Sequence, residues 1–110
     1  MQMNDLWSEI SNRLLELRDE LNECERLGID WANAENEYQK AKHIRAYELK
    51  DEGMAATMIS IVLKGDPFVS EKLRERDSYS VLYESSKSRI NAIKLEMRIL
   101  ESQLQREWGQ

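Results

Sequence analysis

Cysteine, histidine, proline and glycine are scarce in this chain of 110 residues, which has one Cys, one His, one Pro and four Gly. The single cysteine, Cys24, excludes an intramolecular disulfide and any Cys-x-x-Cys metal knuckle. The rarity of Gly and Pro excludes the turn-rich composition of a sheet protein. His43 has no second histidine to bind a metal with it, and the chain has no glycine-rich phosphate loop or nucleophile elbow. We therefore predict a non-enzymatic protein with no catalytic residues, no metal ligands and no cofactor.

Long hydrophobic runs are also missing. The densest apolar stretch, residues 54–63, is too short to cross a bilayer core of about 30 Å. The first residues have neither the basic start nor the apolar run of a secretory signal. The sequence therefore predicts a cytoplasmic protein that has no membrane partner.

Charge and helically spaced apolar residues are abundant, with 34% of residues charged and 41% hydrophobic. In two stretches, apolar residues recur at alternating steps of three and four, which keeps them on one narrow side of a helix. The first stretch contains Trp7, Ile10, Leu14, Leu17, Leu21 and Cys24, and the second contains Ile90, Ile93, Met97, Leu100 and Leu104. Such stripes are buried against other helices. The predicted fold class is all-α, a long helical hairpin or antiparallel coiled coil, and oligomeric. The pattern leaves open whether the chain folds back on itself, two copies meet, or both.

The chain is predicted to form a single helical domain, 1–110, in three segments. An N-terminal helical arm covers 4–52, an elbow covers 53–66, and a long C-terminal helix covers 67–108. Gly28 either breaks the arm or lies within a continuous helix, and the register of the apolar stripe favours continuity.

The boundaries of the elbow have their own signals. Gly53 can adopt the left-handed conformation that ends a helix. Asp66 followed by Pro67 is typical of a helix start, with an N-cap residue before a proline in the first turn. Between them, a short apolar helix is predicted over 58–64, capped by Thr57.

The elbow helix has more apolar side chains than one face of so short a helix can hold. Either both of its sides pack inside the fold or a dimer, or one side docks another protein. The candidate docking residues are Met54, Met58, Ile59 and Val62.

Charge is unevenly distributed along the chain. Residues 1–37 contain ten acidic and three basic residues, a net charge of −7, whereas residues 38–110 have a net charge of +2. An acidic arm can imitate a nucleic-acid backbone. In the remainder, basic residues close to tyrosines could contact a nucleic acid, although acidic neighbours weaken phosphate binding. These basic residues are Lys40, Lys42, Arg45, Arg74 and Arg76.

Several segments in the last two-thirds of the chain together form a recognisable pattern. They are Lys50-Asp-Glu-Gly-Met-Ala-Ala-Thr57, Lys64-Gly-Asp66, Leu73-Arg-Glu-Arg-Asp77, Tyr83 and Leu100-Glu-Ser-Gln-Leu-Gln-Arg-Glu-Trp-Gly109. In these residues the chain resembles a family of small, uncharacterised, all-helical proteins of phages and prophages of Gram-positive bacteria. The resemblance implies an accessory role among early phage genes for replication and recombination, and it implies no catalytic or binding residues.

The leading functional hypothesis is a phage-encoded adaptor of a DNA replication or recombination module. Its predicted partners are further copies of itself, as a dimer or higher oligomer, and an unidentified phage or host protein. One alternative is an inhibitor of a host nuclease or defence complex that uses the acidic arm as a nucleic-acid mimic. Further alternatives are a weak single-stranded nucleic-acid binder and a structural component of the virion.

Overall fold

A computed structural model of the chain describes residues 3–109 and contains three helices, with no strand in that range. The helices are α1 (Met3–Asp51), α2 (Ala56–Lys64) and α3 (Pro67–Trp108). The prediction of an all-α helical hairpin with a short apolar helix at its elbow is confirmed. The bounds of α3 agree with the predicted range, and α1 begins and ends one residue earlier than predicted.

Helix α1 continues through Gly28, so the predicted alternative of a break at this residue is wrong. A glycine inside a helix costs about 1 kcal/mol relative to alanine. The missing side chain makes room for Tyr83 of α3, because a Cβ at Gly28 would lie 3.4 Å from Tyr83 Cε2. The Tyr83 ring packs beside Trp31, with 5.5 Å between ring centroids.

The end of α1 is closed by a Schellman motif. Gly53 has φ of +90°, the left-handed region that glycine adopts without strain. Its N–H donates to the carbonyl of Lys50 at 2.9 Å, and the N–H of Met54 donates to the carbonyl of Leu49 at 3.1 Å. The predicted role of Gly53 is therefore confirmed.

Helix α2 begins two residues before the predicted start, and Thr57 is not its N-cap. Ala55 occupies the N-cap position without a side-chain hydrogen bond. The carbonyl of Ala55 accepts hydrogen bonds from the N–H groups of Met58 and Ile59, both at 3.0 Å. Alanine is a strong helix former, so the helix extends over Ala56 into the elbow.

The start of α3 agrees with the prediction, and its N-cap residue pairs with an arginine of α1. Asp66 Oδ1 accepts a hydrogen bond from the N–H of Val69 at 3.0 Å, which is the usual N-cap geometry. Asp66 Oδ2 accepts a second hydrogen bond, 2.9 Å long, from Nε of Arg45 on α1. The Val69 amide and then the Arg45 guanidinium lower the pKa of the Asp66 carboxyl.

Contacts divide the chain into two compact units. Unit 1 combines Met1–Arg26 with Glu84–Gln110, and unit 2 is Leu27–Tyr83. The single domain predicted over 1–110 remains a prediction, and residues 1, 2 and 110 lie outside the described residues.

In unit 1, α1 and α3 pair in antiparallel orientation. Arg13 lies opposite Glu96, with 3.1 Å between Arg13 Nε and Glu96 Oε2. Further along α1, Glu20 lies opposite Arg89, an earlier residue of α3. The buried apolar residues of this unit are Leu6, Ile10 and Ile90.

In unit 2, the same two helices are again antiparallel. Arg76 Nη1 lies 2.8 Å from Glu35 Oε2, and Arg45 lies opposite Asp66. Small and aliphatic side chains form the buried core of this unit: Leu27, Ala34, Ala41, Leu49 and Val69.

We expect Asp66→Ala to lower the melting temperature more than Asp66→Asn, because asparagine can still accept the Val69 N–H but has no charge to pair with Arg45. The pKa of Asp66 is lowered by folding, so its stabilising effect is present above the unfolded pKa and is lost as pH falls through the folded pKa. Thermal unfolding followed by circular dichroism between pH 7 and pH 2 measures both effects. Asp77→Asn, which removes an exposed charge from the same helix, serves as the control. Equal melting temperatures for wild type and Asp66→Ala would contradict the assigned cap.

We expect Gly28→Ala to raise the free energy of unfolding by up to about 1 kcal/mol, because alanine is the better helix former and its methyl group only touches the Tyr83 ring. Gly28→Val, which is bulkier and β-branched, should lower it. Urea titration measures both variants. A loss of stability in the alanine variant would mean that the Tyr83 contact has no room for a methyl group.

Candidate protein interaction surfaces

The helical seam of unit 1 differs from the predicted stripe on α1. Ile10 is buried and Leu17 half-buried, as predicted, but Trp7, Leu14 and Leu21 are 52%, 51% and 47% exposed. Their place against α3 is taken by Leu6, Arg13 and Glu20, each one residue earlier in the sequence. These three residues therefore do not pack against α3 as a seam within the chain would require, and a seam through them between two copies stays a prediction. We call Trp7, Leu14 and Leu21 the exposed row.

The seam residues of α3 follow the prediction more closely. Ile90 is buried, and the remaining predicted positions are half-buried: Ile93, Met97, Leu100 and Leu104. One helix can cover only two adjacent rows of another helix. Because α3 covers the row that contains Arg13 and Glu20, the exposed row on the other side of Ile10 and Leu17 is left uncovered.

Polar contacts account for this choice of rows. Ser86 of α3 is fully buried, and its Oγ donates a 2.7 Å hydrogen bond to Glu20 Oε1. Nε of Arg89 donates to the same oxygen at 2.9 Å. The Ser86 hydroxyl and the Arg89 guanidinium lower the pKa of the Glu20 carboxyl. If α1 were rotated to bury the exposed row instead, Ser86 would lose its partner, which is costly for a buried hydroxyl.

A small apolar cleft lies at one end of the exposed row. Its volume is about 310 Å³, and it is lined by Trp7, Leu104, Gln105, Trp108 and Gly109. Both tryptophans are exposed. Two indole rings at one open cleft are typical of a surface that contacts another protein.

Unit 2 contains a larger groove, which we call the elbow groove. It has a volume of about 520 Å³ and is walled by all three helices. Its lining residues are Tyr38, Lys42, Ala56, Ile59, Ser60, Leu63, Lys64, Val69, Ser70 and Leu73. Only Ile59 and Lys42 were among the predicted site residues. The sequence shows that Val69 occupies a heptad position of α3. It does not show where α2 packs, and the groove forms only because α2 packs beside α1 and α3.

The predicted docking residues lie on or beside α2, which has no buried residue. Met58 is about half exposed, and Met54, Ile59 and Val62 are half-buried. Within this chain, α2 is therefore not packed on both sides, and whether a second copy covers its other side stays a prediction. Helix α2 has nine residues and packs against the rest of the chain on one side only. Its apolar side chains on the other side therefore remain exposed to solvent.

The structure brings some of the predicted nucleic-acid residues together. Most of them contact an aromatic ring or a carboxylate of the same chain. The guanidinium of Arg76 and the Nζ of Lys42 lie over the ring of Tyr38, at 4.8 Å and 5.2 Å from its centroid. Lys40 Nζ is 3.6 Å from Glu37 Oε1, and Arg45 pairs with both Glu48 and Asp66. Arg74 is exposed on α3.

Arginines also neutralise acidic side chains of α1 in unit 1. Arg13 lies within ion-pair distance of Glu9 and Glu16, at 3.4 Å and 2.7 Å. Glu23 pairs with Arg26. Together with the Glu20–Arg89 pair, these contacts reduce the charge that the acidic arm presents to a partner.

No catalytic or metal-binding group was predicted, and the only histidine, His43, is exposed on α1. Among residues 3–109, no cluster of three or more His, Cys, Asp or Glu side chains could hold a metal ion. In the same range, no helix is long and apolar enough to cross a membrane. Comparisons of the chain with known protein families, with curated proteins and with solved structures find no match.

We expect Ser86→Ala to lower the free energy of unfolding by about 1–2 kcal/mol, because the Glu20 carboxylate loses a buried hydrogen-bond donor. The pKa of Glu20 should rise toward its ordinary value, since the Ser86 hydroxyl is the largest cause of its shift. Urea titration and NMR titration of the Glu20 carboxyl measure the two effects.

Folding lowers the pKa of Glu20, so the ionised carboxylate stabilises the fold above its unfolded pKa and ceases to do so as pH falls through the folded pKa. The stability difference between wild type and Glu20→Gln should therefore shrink in acid. Ser88→Ala, which removes an exposed hydroxyl from α3, is the control for Ser86→Ala. An unchanged Glu20 pKa in Ser86→Ala would show that the hydrogen bond does not perturb this carboxyl.

Proposed function

We propose that this chain is a non-enzymatic helical adaptor that binds a partner protein through the elbow groove. The observation that carries the proposal is α2, an apolar helix of nine residues with none of them buried. A soluble protein rarely leaves such a surface exposed unless another molecule covers it. The groove beside α2 supplies a concave site of about 520 Å³ for apolar side chains of the partner.

The chemistry of the groove favours an amphipathic helix that bears acidic residues. Ile59 and Leu63 of α2 and Val69 and Leu73 of α3 line the groove, so its walls suit apolar anchors at helical spacing. Lys42 and Lys64 also line it, and cations on the walls attract acidic groups beside the apolar anchors.

The role of the adaptor follows the resemblance to small phage proteins. We propose that the chain acts in the cytoplasm of the host cell, where it connects proteins of a phage DNA replication or recombination module. The partner that supplies the acidic helix is another phage protein or a host protein. Helices with exposed apolar side chains suit this work, because an adaptor needs exposed contact surfaces and not reactive groups.

Ion pairs within each unit make the alternative functions less well supported. A nucleic-acid mimic needs unpaired acidic groups, whereas Glu16, Glu20 and Glu23 each pair with an arginine. A nucleic-acid binder needs free cations, whereas Arg45 and Arg76 each pair with two carboxylates.

Selection from a library of displayed amphipathic helices tests the groove. We expect the selected helices to carry apolar anchors at i, i+3 or i+4, and i+7, flanked by Asp or Glu. Fluorescence anisotropy with a selected peptide should show at least a tenfold loss of affinity for Ile59→Asp, because a charge on the groove wall repels apolar anchors.

The double variant Lys42→Glu/Lys64→Glu should weaken the acidic peptide and strengthen a peptide whose acids are replaced by lysine. Arg74→Glu makes the same kind of charge reversal on an exposed residue outside the groove and should leave affinity within about twofold. Selected peptides without a helical pattern, or equal affinity for wild type and Ile59→Asp, would contradict the proposal.

A further inference from the structure

We propose that a second copy of this chain covers the exposed row of unit 1 and forms an antiparallel dimer with a two-fold axis near Leu14. The proposal concerns a surface other than the elbow groove and does not depend on the proposed partner. It rests on the unfilled half of the apolar stripe, on the symmetry of the exposed row and on the charges beside it.

The apolar stripe of α1 is wider than the surface that α3 covers. Trp7, Leu14 and Leu21 alternate with Ile10 and Leu17 at steps of three and four, which is the spacing of a complete helix–helix seam. Ile10 and Leu17 are covered by α3, while the exposed row is about half exposed at every position. The uncovered surface is therefore continuous with the buried interface of unit 1, and a further helix alongside α1 completes the seam.

The exposed row matches itself under two-fold rotation. Its three members are seven residues apart, so Leu14 lies midway between Trp7 and Leu21. A two-fold axis at Leu14, perpendicular to α1, packs Leu14 against the partner's Leu14. The same axis places Trp7 against the partner's Leu21, and Leu21 against the partner's Trp7. Symmetric dimers require such a self-complementary patch.

Charged residues of α3 follow the same symmetry. Lys87, Lys94, Glu101 and Trp108 are spaced by seven residues, and Trp108 lines one cleft with Trp7. The register of the Arg13–Glu96 and Glu20–Arg89 pairs sets Leu95 level with Leu14, so Lys94 lies within one residue of the axis and approaches the partner's Lys94. The two-fold axis therefore brings Lys87 toward the partner's Glu101. Within its own chain, Lys87 Nζ lies 3.7 Å from Glu84 Oε2. The two symmetric Lys87–Glu101 contacts across the rim favour the antiparallel arrangement and outnumber the single Lys94–Lys94 repulsion at the axis.

The size of the patch suits a reversible dimer. From their exposed fractions, the three side chains of the exposed row present roughly 300 Å² of apolar surface per copy. Standard interfaces bury about 800 Å² per partner, with an apolar centre inside a polar rim. The exposed row supplies the centre and the lysine and glutamate residues supply the rim, so we expect a dissociation constant in the micromolar range.

Analytical ultracentrifugation of the full chain from about 1 to 200 µM tests the dimer, with circular dichroism to verify that each variant is folded. Wild type should shift from monomer to dimer across this range. Leu14→Glu should remain monomeric at the highest concentration. Leu15→Glu is the matched control, because Leu15 is 52% exposed, as Leu14 is 51%, but lies on another side of α1.

A charge exchange tests the orientation independently of Leu14. Lys87→Glu and Glu101→Lys should each weaken dimerisation about tenfold, and the double variant should restore it. A wild type that stays monomeric at 200 µM would overturn the proposal, leaving the row to an unrelated protein. So would equal effects of Leu14→Glu and Leu15→Glu. Failure of the double variant to recover would overturn the antiparallel arrangement. None of these outcomes bears on peptide binding in the elbow groove.

Discussion

The hydrogen bond between buried Ser86 and Glu20 is the contact on which the organisation of unit 1 depends. A buried hydroxyl without a partner is costly, and Glu20 provides the acceptor at 2.7 Å. Arg89 shares the same carboxylate oxygen, so a slip of one helix along the other would separate three groups at once. The contact therefore fixes both the register of α1 against α3 and the rotation of α1 about its own axis.

That rotation has a consequence for the surface. Once Glu20 and Arg13 face α3, the row containing Leu14 and Leu21 turns away from it. The polar pairs thus determine which apolar residues remain for a partner. Buried polar groups often set the register or orientation of packed helices at some cost in stability. In unit 1 the fold loses stability because Leu14 and Leu21 stay exposed to solvent.

Unit 2 leaves an apolar surface for a different reason. Its core contains the small residues Ala34 and Ala41, and the interior of α1 contains Gly28, which makes room for Tyr83. Helix α2 is held between the Schellman motif at Gly53 and the capped start of α3 at Asp66. It is too short to bury its own side chains, so its inner side forms a groove wall and its outer side remains in water.

The chain's helices and their ends follow from local signals in the sequence. Heptad spacing, Gly53 with its positive φ, and Asp66 before Pro67 act over a few residues, and they correctly predicted the two long helices, the end of α1 and the start of α3. One local inference was wrong: Thr57 does not cap α2, because a cap is optional where helix N–H groups reach water. At Gly28 the sequence left two alternatives open and favoured continuity, which the structure bears out. Only the tertiary structure decided which rows of α1 are buried, since the apolar pattern alone favours a seam through Leu14, whereas the fold places the row through Arg13 and Glu20 against α3. The choice depends on Ser86 and Arg89, more than sixty residues away, whose positions no local pattern records.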